Sequence, residues 1–511
     1  TGRYSVGHRF HHPEPVAIEH AESYEQNLSA AHVIADFDQR QQQIIVQVQK
    51  LADEVGATAI VPQDLLDEVT ALVDYPVALR ASFEPRFLQV PQEALISTMQ
   101  ADQKYFCLTD ANGKLQPYFI FISNIDSKDK AQVIAGNEKV VRPRLADAEF
   151  FFLQDQKQPL FALTDNLKNR IFQDKLGTIW DKSERIAKLA AFIATQIGAD
   201  VEQTARAGLL SKADLASTLV GEFPELQGIA GTYYARLNQE PEAVAAAIEE
   251  QYLPKFSGDN LPATPIGTAL ALADRLDTLV GIFGIDQAPT GSKDPFSLRR
   301  AAIGVLRILI EKQLPLNLIV LLEQALLGYA GKIDDLSGTF KQVMAFINSR
   351  YRAMYEDQGM SVDTILAVQA LQPQVPLDFD KRLKAVQAFR ALPQAKQLAE
   401  ANKRVANILA KADVVVPQQV NPAYLEAVAE QQLHQAVQQA QQTIMPLQQA
   451  QQTDYTQILT VLTALQQPLD DFFEHVMVNS EDAHLKGNRL ALLQQVRQLF
   501  LTVADISELQ L

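Results

Sequence analysis

The sequence predicts a mainly α-helical, multidomain chain whose α+β structure is confined to its first third. Three observations carry this reading. At 511 residues the chain exceeds what a single hydrophobic core organises, so about three domains are expected. From Ile179 onward, apolar residues recur at helical spacing, as Ile186, Leu189, Ala190 and Ile193, then Leu270, Ala273, Leu276, Leu279 and Val280. Ahead of that point, the apolar run Tyr118-Phe119-Ile120-Phe121-Ile122 follows a turn at Asp110-Ala111-Asn112-Gly113 and reads as a strand.

Residues 1–165 form the N-terminal α+β domain. Val90-Pro91-Gln92-Glu93 opens a short helix over residues 94–99, with proline near its start. Asn137–Phe152 reads as a helix that places Lys139, Arg142 and Arg144 ahead of Phe150, Phe151 and Phe152, whose expected role is packing. Residues 166–335 are a central all-α domain, its helices separated by Pro224, Pro254, Pro262 and Pro265. Residues 336–378 read as a helical linker ended by Pro373 and Pro376. Residues 379–511 form a C-terminal helical bundle with charged stripes at Lys381, Arg382 and Lys384 and at Lys403 and Arg404. Its glutamine-rich part, His434–Gln457, keeps Val437, Ile444 and Leu447 and reads as a solvated helical hairpin bent near Pro446.

Composition narrows the classes of function. The net charge is −16, so nucleic acid must be bound through local basic patches. No run of 18 or more apolar residues escapes a charge, and no membrane span is expected. The single Cys107, in the apolar setting Tyr105-Phe106-Cys107-Leu108, excludes an internal disulfide and a multi-cysteine zinc site. It also fits a reducing cytoplasm. Thr1 is not followed by an apolar signal core, and the expectation is a chain that begins partway into a longer sequence.

The stretch Gly258–Arg307 holds the strongest chemical candidates. Asp274 and Asp277 share an apolar helix, as a metal site would arrange them, yet none of the histidines lies between His32 and His434. A carboxylate-only magnesium site stays open, and ion pairing with Arg275 and its neighbours is the favoured reading. The loop Ala288–Pro295 contains Gly291-Ser292-Lys293 and leads into a helix bearing Arg299, Arg300 and Arg307. Arginine forks and free N–H groups at a helix start suit phosphate, while a solvated face of scattered ion pairs fits equally. Lys403 with Arg404, and Lys486 with Arg489, carry the same two readings. His8, His11 and His12 precede Pro13 and Pro15 and read as polar loop residues near the surface. There is no Gly-x-Ser-x-Gly elbow, and Thr290-Gly291-Ser292-Lys293 lacks the earlier glycine of a phosphate-binding loop. No nucleophile and no ATP site are expected.

Several longer motifs resemble the β subunit of bacterial glycyl-tRNA synthetase. They include Gly7-His8-Arg9-Phe10, Gly221-Glu222-Phe223-Pro224-Glu225-Leu226-Gln227-Gly228, Ala273-Asp274-Arg275-Leu276-Asp277 and Lys293-Asp294-Pro295-Phe296-Ser297-Leu298-Arg299-Arg300. The resemblance implies a tRNA-binding subunit that grips tRNA(Gly) for a separate α subunit, the two assembling as a heterotetramer in the cytoplasm. ATP and Mg are then used by the α subunit, with no cofactor, DNA or membrane partner for this chain. It further implies that the central domain is HD-like with a degenerate metal site, where Ser211 and Lys212 replace the His-Asp pair and Asp274 is what remains. Alternatives are a working HD-type phosphohydrolase and a non-catalytic scaffold. The C-terminal domain resembles the anticodon-binding bundle of arginyl-tRNA synthetases, carried by Ala401-Asn402-Lys403-Arg404-Val405-Ala406-Asn407-Ile408 and Asn488-Arg489-Leu490-Ala491. Candidate RNA contacts are Lys293, Arg299, Arg300, Arg307, Lys381, Arg382, Lys403, Arg404, Lys486 and Arg489. Arg404 and Arg489 could equally buttress the bundle.

Overall fold

The computed structural model describes residues 2–450 and 453–511. By contact the chain divides into two compact units, Thr1–Arg170 with Leu210–Glu249, and Ile171–Leu209 with Glu250–Leu511. This division cuts through the expected 166–335 segment and groups most of it with the expected linker and C-terminal bundle.

In the first unit, β1 (Tyr4–Val6) and β2 (Pro15–Ala17) form a small antiparallel pair. The main sheet comprises β3 (Thr58–Ala59), β4 (Val77–Ser82), β5 (Phe106–Thr109) and β6 (Leu115–Ser123), in the order β3-β5-β6-β4 with every pairing antiparallel. Helix α1 (Phe37–Asp53) starts where the Asp36 side chain accepts from the Gln39 N–H, satisfying a donor that the helix start leaves open. Its Ile44, Val48 and Ala52 recur every four residues. They pack with Leu66 and Val69 of α2 (Gln63–Leu72) against Phe106, Leu108 and Ile120 of the sheet. Cys107 is a buried core thiol, pushed up to about 12 by burial.

Helix α3 (Lys130–Asp155) extends beyond the expected 137–152 at both ends. The packing expected for its three phenylalanines holds for Phe152, which is buried and stacks on Tyr234 with ring centroids 5.5 Å apart. It fails for Phe150, which is 61% exposed, because neighbouring helical positions lie about 100° apart and face different ways. The end of α3 explains why residues 210–249 join this unit. The Asp155 carboxylate accepts from the Thr218 and Leu219 N–H groups and from the Tyr234 hydroxyl, at 2.8, 2.9 and 2.8 Å.

His8 departs from the expected surface loop. It is 1% exposed. Its Nε2 meets the Asn124 carbonyl at 2.5 Å, and its Nδ1 accepts from the Phe10 and His11 N–H groups. Both ring nitrogens therefore serve the fold.

In the second unit, β7 (Ile171–Gln173) and β8 (Gly177–Thr178) lead into α4 (Ile179–Ile197), which opens with a Thr178/Asp181 capping box. Helix α5 (Pro265–Gly284) is buried nearly all round, as a central core helix should be. Around it come α6 (Leu298–Glu311) and α7 (Leu336–Glu356). After helix α8 (Val362–Gln369), Pro376 occupies the first turn of α9 (Pro376–Arg390) and so opens a helix where an end was expected. Tyr351 of α7 stacks on Phe379 of α9 at 3.8 Å between centroids, and the Tyr355 hydroxyl donates to Asp380 at 2.8 Å. These contacts join the expected linker to the bundle.

The bundle continues with α10 (Ala395–Ala410), α11 (Val428–Gln449), α12 (Gln466–His475) and α13 (Ala483–Leu501). Helix α11 runs through Pro446 and ends three residues later at Gln449, and the next helix begins at Tyr455. The carbonyl that proline leaves without an intrahelical donor belongs to Gln442, an exposed residue that water can serve. The part of the expected hairpin that falls on Gln451 and Gln452 lies outside the described residues. No helix among the described residues is long and apolar enough to cross a membrane.

Candidate nucleic-acid interface

Helix α10 is amphipathic for a simple reason of spacing. Leu398, Asn402 and Val405 are buried against the bundle, while Lys403, Arg404 and Asn407 are exposed. Lys403, Asn407 and Lys411 follow at intervals of four and share one edge of the helix. That edge lines a cleft of about 460 Å³, completed by Asn479, Lys486 and Leu490. A second cleft of about 400 Å³ shares Glu400 and Arg404 with the first and adds Asp470, Phe473 and Glu474 from α12. The Arg404 guanidinium carbon stands 4.1 Å from the centroid of the Phe473 ring. Phe472 beside it is fully buried and meets Phe473 edge-on at 5.7 Å, so the platform is anchored in the core.

Chemically the two clefts differ. The first presents lysine, arginine and asparagine, which suit phosphate and base edges. The second sets carboxylates beside a cation-capped ring, where a base can stack and its amino groups can donate.

The other candidate cations in this bundle are more constrained. Lys486 lines the first cleft while pairing with Asp413, and that hydrogen bond is the chief reason the Asp413 carboxyl is held below its ordinary range. Arg489 pairs through Nε with the fully buried Glu430 and donates to the Met477 carbonyl at 3.0 Å. Of its two open readings, the geometry supplies the buttress. Arg382 donates to Asp378 at 2.7 Å and to the Thr502 and Val503 carbonyls at 2.8 and 3.0 Å, beneath Tyr455. Lys381 beside it is half-buried.

The Lys293 loop differs from its expectation in a specific way. The N–H groups of Leu298 and Arg299, which a phosphate would use, donate to the Asp294 carboxylate at 2.8 and 3.0 Å. The chain's own aspartate occupies the anion seat at the start of α6. Arg299 folds back to the Gly291 carbonyl at 2.6 Å. Lys293 and Arg300 are exposed, and Arg307 pairs with Glu311 at 2.7 Å.

Asp274 and Asp277 do pair with cations, those of α4, and Asp274 also acts electrostatically on Arg275. Lys182 of α4 lies 3.1 Å from Asp274 and 3.0 Å from Asp277, and Arg185 lies 2.7 Å from Asp277. The Arg275 guanidinium donates to the carbonyls of Gln251, Ala271, Tyr252 and Pro254. A divalent ion would have to displace two buried cations to reach these carboxylates. Ser211 and Lys212 are themselves buried.

Comparison with known proteins now bears on this geometry. Residues 1–370 match the family model described as glycyl-tRNA synthetase beta subunit. The chain belongs to that family. Residues 398–507 match the DALR anticodon binding domain, and every residue named above for the two clefts falls inside that range. The chain is 60% identical over 510 residues to the glycine–tRNA ligase beta subunit of Acinetobacter baylyi, covering 100% of this chain and 74% of that protein. Against the beta subunit of Pseudomonas savastanoi pv. phaseolicola it is 57% identical over 507 residues, covering 99% and 74%. It is therefore a beta-subunit component of an aminoacyl-tRNA synthetase, mainly helical and ending in an anticodon-binding domain.

The two clefts bring in Asn407, Lys411, Phe473 and Asn479, which were not among the sequence candidates. The four-residue spacing of Lys403, Asn407 and Lys411 was a signal for the first two. Phe473 lies far along the chain from Arg404, and nothing local couples them.

Proposed function

We propose that this chain is the tRNA-binding, non-catalytic subunit of glycine–tRNA ligase. It holds tRNA(Gly) with the anticodon region against the α10 clefts and presents it to a separate α subunit. That subunit activates glycine with ATP and Mg, and the two work together in the cytoplasm. The observation that carries the reading is the Arg404–Phe473 platform between two clefts, inside the region that matches an anticodon binding domain. In a chain of net charge −16, a concentrated basic edge at Lys403, Arg404 and Lys411 is what nucleic acid requires.

Binding of tRNA(Gly) and of a non-cognate tRNA is measured across a salt series. The reading expects log K to fall with log salt by roughly 0.7–0.9 per phosphate contact, with preference for tRNA(Gly). Salt-independent binding, or equal affinity for both tRNAs after addition of the α subunit, counts against it. The phosphohydrolase alternative is disfavoured by Lys182 and Arg185, which already neutralise the acids it would need.

A further inference from the structure

A separate cleft opens in the second unit, where the loop after Gln251 meets α6 and α7. It measures about 380 Å³ and is lined by Lys255, Phe256, Arg300, Ile303, Arg307 and Met354, among others. Its frame is held from two sides. Buried Arg275 clamps the carbonyls of Gln251, Tyr252 and Pro254, and Gly304 leaves room for it, since a Cβ there would stand 2.6 Å from the Arg275 Nε. Arg307 donates through Nη2 to the Asp259 carbonyl at 3.1 Å, fastening the loop to α6.

Two features point to a ligand. The Arg307 Nη1 is buried and has no hydrogen-bond partner among the described residues, a donor that costs free energy until something accepts from it. Phe256 is 63% exposed beside the half-buried Ile303 and Met354, giving a flat molecule an apolar wall. Arg300 and Lys255 stand exposed in the same lining. Two acids share the lining: Glu311, which is engaged by Arg307, and the exposed Asp357.

We propose that this cleft binds one nucleotide, its base against Phe256, Ile303 and Met354 and its phosphate at Lys255 and Arg300. Arg307 Nη1 donates to a base carbonyl or a phosphate oxygen. The volume falls in the range of small-ligand sites, and a base stacked on an aromatic with cations on the backbone is how unpaired nucleotides are held. The nucleotide comes from a bound RNA, an unstacked residue away from the anticodon clefts. This clause rests on the tRNA-binding reading above.

The test compares the full chain with Lys255→Glu/Arg300→Glu and with Met354→Trp, which fills the cleft. Melting temperature is the control for folding, and Arg404→Ala is the control for the other site. tRNA(Gly) and AMP are the two probes. The proposal expects both cleft variants to weaken tRNA(Gly) roughly tenfold or more with melting unchanged. It also expects the charge variant to shed about one phosphate contact from the salt slope. If AMP binding responds to the cleft variants and tRNA binding does not, the cleft serves a free nucleotide and the RNA source is overturned. If neither probe responds while Arg404→Ala still weakens tRNA, the cleft proposal fails and the functional reading stands. If the wild-type chain binds no tRNA at all, the functional reading fails with the RNA source, and the AMP arm alone reads the cleft.

Discussion

The Arg404 guanidinium stands over Phe473 with its carbon 4.1 Å from the ring centroid, and no ion pair ties it down among the described residues. Arg489, on another helix of the same bundle, pairs with the fully buried Glu430 instead. Two arginines that look alike in sequence therefore do different work.

The first prediction separates them. Arg404→Ala should weaken tRNA(Gly) binding by about 1–3 kcal/mol, the usual worth of one stacked base. Stability should stay within about 0.5 kcal/mol, as for other surface changes. Arg489→Ala should leave Glu430 buried without its partner and lower unfolding stability by roughly 3–5 kcal/mol. Binding isotherms and urea unfolding on the same two proteins decide it. A stability loss for Arg404→Ala, or none for Arg489→Ala, would reverse the assignment.

The acids of α5 give the second. Lys182→Met removes a cation that touches Asp274 and Asp277, both well buried, and should destabilise by about 3–5 kcal/mol. Because Lys182 and Arg185 fill the space around these carboxylates, adding Mg²⁺ to the wild-type chain should not raise its melting temperature. A magnesium-dependent rise that Asp277→Asn abolishes would instead reveal a cation site.

Asp214 supplies a pH dependence. Burial pushes its carboxyl up to about 6, against the N–H groups of Gly228 and Gly231 that donate to it. The unfolded carboxyl titrates near 3.8, so between the two values the folded chain holds a proton that the unfolded chain has released. The stability this gives is complete below the unfolded value and is lost as pH rises through about 6. Asp214→Asn keeps an acceptor for both N–H groups and does not ionise. Its urea midpoint relative to wild type should improve from about pH 4 to about pH 7 and then level off. A difference that stays flat across that range contradicts the assignment.

The fourth prediction concerns packing. Gly304→Ala places a methyl group against the Arg275 Nε, a side chain fixed by four backbone carbonyls. Overpacking of this kind costs about 1–3 kcal/mol, so thermal unfolding should shift downward, and hydrogen exchange should rise in residues 251–255. Unchanged exchange there would mean that Arg275 does not hold the loop.

What could be read from the sequence follows the range of each interaction. The strand over 118–122, which the structure extends to Leu115–Ser123, and the helix around 137–152 were legible because alternation and helical periodicity are local patterns. The absence of histidine around Asp274 was legible too, and it removed the usual metal ligands. The cations that pair with these acids were not, because Lys182 and Arg185 lie 92–96 residues from their acceptors in α5. The same distance problem hid the Phe473 beneath Arg404 and the Glu430 that pairs with Arg489. Asp294 is the exception. It stands only four residues before Leu298, close enough for a local reading to consider, although Ser297 and not Asp294 holds the N-cap position of α6.

The central claim, that the α10 clefts hold the anticodon region of tRNA(Gly), is tested most directly by footprinting tRNA(Gly) on the αβ complex. The account predicts protection of the anticodon loop by the wild-type chain. Arg404→Glu should remove that protection while leaving protection elsewhere on the tRNA in place. An anticodon loop that is equally reactive with and without the wild-type chain would contradict it.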